Sequence, residues 1–128
     1  DLACEFPRLD ERFTGESYRY GYFAADMNPQ FKVGGFNAIA RRDHKTGRVD
    51  SYDVGEASAT NEPIFVPKSP DAEEGEGFLM ANVYDANRKA SHLVILDAQN
   101  VSGPPLAKAY LDHRVPFGFH GNWAEGVA

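Results

Sequence analysis

Cysteine occurs once in the 128 residues, at Cys4, so no internal disulfide can form. That usage leads us to expect a reducing compartment, the cytoplasm. No apolar run approaches the roughly 20 residues that span a bilayer as a helix, and nothing in this part of the sequence suggests a membrane. Basic residues are outnumbered, 13 Lys and Arg against 19 Asp and Glu, for a net charge of -6. The balance argues against a non-specific hold on nucleic acid or on an anionic lipid surface. Helical periodicity is missing throughout. Also missing are the GxSxG, P-loop, HExxH and CxxC signatures, which removes the commonest nucleophile, phosphate and zinc readings.

What remains is β-rich. The chain is 42% hydrophobic and 25% charged, a globular composition large enough for one core. Short runs of β-branched and aromatic residues alternate with a period of two and are broken by turns. They place strands at 3–6, 18–25, 36–42, 48–53, 63–67, 77–85, 91–97, 107–112 and 117–122. Gly47, at the end of a His44-Lys45-Thr46 turn, supplies a positive φ, so 36–53 reads as a hairpin. Residues 69–76 (SPDAEEGE) read as a solvated acidic loop. A weak repeat links 36–54 with 92–111: in each, an aspartate ends a strand and a hydroxyl residue with a glycine leads into the next. Antiparallel strands in such groups suggest propeller blades, with 18–53 forming most of one and 63–112 another. A small complete β-sandwich is the rival. Asp1 opens into an acidic, aromatic-rich segment that reads as the middle of a strand. We therefore expect a piece of something longer, with no secretory leader.

Four histidines could carry chemistry. His44 reads as an exposed turn residue, His92 as a satisfied structural histidine and His113 as a surface group. His120 differs. It is the one titratable side chain between Val115 and Trp123, flanked by Gly118 and Gly121 and walled by Phe117, Phe119 and Trp123. An imidazole in such a setting is either a core residue or a ligand for a borderline metal. A ligating imidazole needs its second nitrogen held, often by a carboxylate. Two carboxylates stand within apolar strand sequence, Glu5 in LACEFP and Glu62 in NEPIFVP. They either point outward or accept N–H groups from metal-bound histidines.

Taken together, CEFPR, NEPIFVP followed by GFLMANVYD, and SHLVILDAQN with RVPFGFHGNW resemble the C-terminal region of the carotenoid cleavage oxygenases. That family includes carotenoid, apocarotenoid and lignostilbene dioxygenases and a retinoid isomerohydrolase. The likeness covers essentially all 128 residues. It implies an all-β fold in which 1–128 form roughly the last two blades of a seven-bladed β-propeller, the C-terminal portion of one oxygenase domain. It further implies ferrous iron, Fe(2+), held by four histidines, three of them hydrogen-bonded by glutamates. His120 resembles one iron ligand, and Glu5 and Glu62 resemble two of the glutamates. The other ligands would lie in the N-terminal remainder of the enzyme, so the 128-residue piece alone is expected to be inactive. The implied reaction uses dioxygen to cleave a C=C bond of a small hydrophobic conjugated substrate into two carbonyl products. The isomerohydrolase reaction, or a metal-free β-rich binding or scaffold domain, stays open as the alternative.

Overall fold

The computed structural model describes residues 2–27, 34–124 and 126; Asp1 lies outside them. Among the described residues nine antiparallel strands form two sheets. The first runs in the order β1 (Ala3–Arg8), β2 (Tyr20–Asp26), β3 (Ala38–Asp43), β4 (Val49–Asp53). In the second, β7 (Gly77–Asp85), β8 (Ala90–Asp97) and β9 (Ala107–Tyr110) follow in order. The far edge of β7 is paired by two short strands in succession, β5 (Ser58–Thr60) and β6 (Ile64–Pro67). A bridge between Phe36 and Thr60 joins the sheets. The sole helical element among the described residues is a 3-10 turn, Glu11–Phe13. The sheets are two propeller blades.

The alternation seen in the sequence is the burial pattern. On β7, Leu79, Ala81 and Val83 are buried, and they stand opposite Leu96, Val94 and His92 of β8. Tyr22 and Ile39 from the first sheet meet this face, with the Tyr22 and Phe65 rings stacked at 5.2 Å. Fully burying each aliphatic side chain is worth about 1.5–3 kcal/mol, so this shared core is what holds one blade against the other. Gly77 has no room for a side chain, because a Cβ there would lie 2.2 Å from the Val66 carbonyl oxygen.

The turns carry a common device. Asp43, Asp53, Asp85 and Asp97 each close a strand and accept, through Oδ1, the amide of the residue two further on. These are Asx turns, and they explain the aspartates of the weak repeat. Gly47 adopts φ 75 in the β3–β4 turn, as expected.

Two strand expectations are corrected. Residues 117–122 form no strand, since their amides are not engaged in any ladder. Residues 58–60 do form one, unforeseen in a run of small residues. The first sheet, most of it from 18–53 as expected, is completed by β1. Between β5 and β6 the edge is interrupted at Asn61-Glu62-Pro63. Pro63 has no amide to give the ladder, and the Asn61 side chain instead accepts the Asn82 amide at 3.2 Å.

Candidate metal centre

The interruption before Pro63 puts a carboxylate where a strand residue would otherwise sit. Glu62 is 3% exposed, a costly place for a charge without partners. It has three. Its Oε1 lies 3.1 Å from His120 Nδ1, its Oε2 accepts the Gly121 amide at 2.9 Å, and Arg8 Nη1 stands 3.6 Å from Oε2. Residues 58 and 59 positions apart in sequence are therefore joined through one side chain.

The arrangement fixes the tautomer. A carboxylate accepts, so in the neutral ring Nδ1 carries the proton and the lone pair falls to Nε2. Nε2 has no protein partner among the described residues, and the His120 side chain is 74% exposed. Phe6 holds the other side of the ring edge-on, with centroids 6.0 Å apart. Phe6 adopts φ 58, a left-handed conformation that non-glycine residues rarely adopt. It falls in a one-residue bulge of β1, where Glu5 opposes Ala24 but Arg8 opposes Tyr22. Strain of this kind concentrates at functional sites.

The other sequence candidates lie elsewhere. Glu5 is exposed on β1 and makes no hydrogen bond among the described residues, so the structure brings together His120 and Glu62 but not Glu5. His44 sits in its turn against Tyr18. His113 is exposed and bonded through Nδ1 to Asp112, whose carboxyl is held below its usual range by that contact. His92 corrects its expectation: it is buried, but Nδ1 has no hydrogen-bond partner among the described residues, and burial lowers its pKa. Arg8 was missed. An arginine at the end of an edge strand carries no sequence signal of its own.

An apolar cavity of about 370 Å³ opens beside His120, walled by Ile64, Val66, Met80, Leu93 and Trp123. Among the described residues no three His, Cys, Asp or Glu side chains converge. The donor set thus fits a single coordination position: one imidazole with its Nδ1 proton anchored and its Nε2 free. That is the form in which histidine ligates a metal.

The chain is similar to known proteins over nearly its whole length. A family model described as retinal pigment epithelial membrane protein matches residues 1–125. The lignostilbene-alpha,beta-dioxygenase isozyme III of Sphingomonas paucimobilis is 41% identical over 129 residues, covering 94% of this chain and 26% of its own length. The isoeugenol monooxygenase of Pseudomonas nitroreducens is 37% identical over 130 residues, covering 96% of this chain and 27% of its own. The crystal structure of the Pseudomonas brassicacearum lignostilbene dioxygenase matches with a TM-score of 0.89 at 34% identity, over 98% of this chain and 28% of that one. Cobalt-substituted Synechocystis ACO matches at 0.88 and 34%, over 96% and 26%. The chain spans about a quarter of the length of the relatives it matches. With its motifs, its two blades and its anchored histidine, the chain belongs to the retinal pigment epithelial membrane protein family, the carotenoid cleavage oxygenases.

Proposed function

We propose that the chain works as the C-terminal portion of a non-haem iron(II) dioxygenase that cleaves a C=C bond of a stilbene, apocarotenoid or carotenoid to two carbonyl products. The observation that carries this reading is the buried Glu62 fastened to His120 Nδ1, with Nε2 left free. His120 would give one neutral nitrogen to the metal. Glu62 holds the Nδ1 proton, fixes the ring plane and makes the imidazole a better donor. The Gly121 amide and Arg8 keep the Glu62 carboxylate in place while it does so. Glu5 would serve a second histidine, one supplied by the rest of the enzyme. A bound ferrous ion supplies the reaction with dioxygen that no side chain here can perform.

The relatives named for lignostilbene, isoeugenol and apocarotenoid point to conjugated alkenes as the substrate class. A metal-free scaffold calls for an exposed, unpaired Glu62 with His120 distant, and the 3.1 Å contact runs against it. The single cysteine is free, in keeping with a reducing, cytoplasmic setting.

The test uses the intact enzyme that contains this chain, loaded with iron and given a hydroxylated stilbene, an apocarotenal and isoeugenol under air. Aldehyde products from at least one, lost in His120→Ala, are expected. No turnover of any, or full turnover in His120→Ala, overturns the reading.

A further inference from the structure

Arg8 of the first sheet reaches Glu62 and the segment that follows His120. It stands at the end of the β1 bulge, and its side chain is 18% exposed. Its guanidinium spans four groups. Nη1 faces Glu62 Oε2 at 3.6 Å and donates to the Gly121 carbonyl at 3.4 Å. Nη2 donates to Asn122 Oδ1 at 3.2 Å and also to the Glu11 carboxylate. Gly121 and Asn122 follow His120 directly, and Glu62 holds its ring. One side chain of the first sheet therefore grips both the carboxylate behind the imidazole and the backbone beyond it.

We propose that Arg8 is a positioning residue of the metal centre: it bridges Glu62 and residues 121–122, and so sets the direction of the His120 imidazole. The inference rests on the metal-centre reading above and adds a residue to it. Two physical effects combine. A buried carboxylate needs a counter-charge, and Arg8 is the cation beside Glu62. A planar fork can address two partners at once, which a lysine ammonium on a flexible stem cannot reproduce. The bulge is what makes this reach possible. Its extra residue turns Phe6 onto the imidazole edge and carries Arg8 to the 121–122 segment.

The test is made on the intact apoenzyme titrated with Co(II), a metal that a solved relative accepts. Three variants are compared with wild type: Arg8→Met, Arg8→Lys and Ser91→Ala. The last removes a contact to the same segment at Val115, away from Glu62. Arg8→Met is expected to bind Co(II) about tenfold more weakly or worse, with shifted d–d absorption bands, the size usual for groups that orient a ligand. Arg8→Lys should fall between it and wild type, and Ser91→Ala should keep both affinity and bands. A folded Arg8→Met with wild-type affinity and bands overturns the proposal. If Arg8→Met does not fold, an unchanged Arg8→Lys overturns it. Shifted bands in Ser91→Ala equal to those of the arginine variants would also overturn it, by reducing Arg8 to a general prop. His120→Ala separates the two readings. If it binds Co(II) as wild type does, the metal centre itself fails; if it loses Co(II) while the arginine variants do not, only the role of Arg8 fails.

Discussion

In the β7–β8 hairpin, residues face one another pair by pair from Phe78 opposite Asp97 to Asp85 opposite Ala90, and alternate side chains enter the core. In residues 114–124 no ladder forms. The Val115 amide is held by Ser91 Oγ, the Gly121 amide by Glu62, and the Gly121 carbonyl by Arg8 from 113 positions away. The hairpin draws its geometry from its own neighbours, through backbone bonds and burial. The segment bearing His120 borrows its geometry from side chains of both sheets. Removing core volume should therefore cost stability, whereas removing a borrowed contact should cost the site its aim.

The largest effect is expected in the hairpin. Leu79→Ala should lower stability by about 2–5 kcal/mol, the cost of a buried cavity. Denaturant unfolding of the intact enzyme would measure it, and metal affinity of the folded fraction should not move. A weakened metal site in folded Leu79→Ala would break the comparison. Glu62→Gln comes next, with the opposite pattern. It keeps the side-chain volume but not the charge that pairs with Arg8 and accepts the Nδ1 proton. We expect metal affinity to fall about tenfold or more, or about 1.4 kcal/mol, with a small change in thermal midpoint. Ser91→Ala touches both regions, since Ser91 lies on β8 and holds Val115. It should cost about 1 kcal/mol of stability and leave the metal site alone.

The smallest effect is a pH dependence belonging to the hairpin. Burial holds the His92 pKa below the ordinary imidazole value of 6.5. Below that pH the unfolded chain takes up a proton that the folded chain refuses. The His92 contribution is thus complete above about pH 6.5 and declines as pH falls through it. His92→Gln should flatten that acid-side decline in thermal midpoints taken from pH 7.5 to 5.5. An undiminished slope would locate the dependence elsewhere.

Much of this was legible in the residues. Alternation in GFLMANVYD and SHLVIL marks a half-buried ladder, and the Asp-initiated turns follow from Asx chemistry. An acid in apolar sequence and an imidazole between glycines marked Glu62, Glu5 and His120 as candidates, and the family resemblance gave them roles; of the two acids only Glu62 meets His120. Other features were hidden for physical reasons. PFGFHGN alternates like a strand, but pairing depends on an available partner edge, which local sequence does not encode. Ser58–Thr60 is too short and small to signal a strand, and is one only because β7 is long enough to pair two. Arg8 acts through contacts more than 50 residues away, and its reach depends on a bulge whose strained residue is a phenylalanine, not a glycine.

The proposed metal centre stands or falls on His120, anchored by Glu62, giving one ligand. Iron per polypeptide in the purified intact enzyme, wild type beside His120→Ala, tests it most directly. About one iron in wild type and little in the variant is the expected result. Equal iron in both would contradict it.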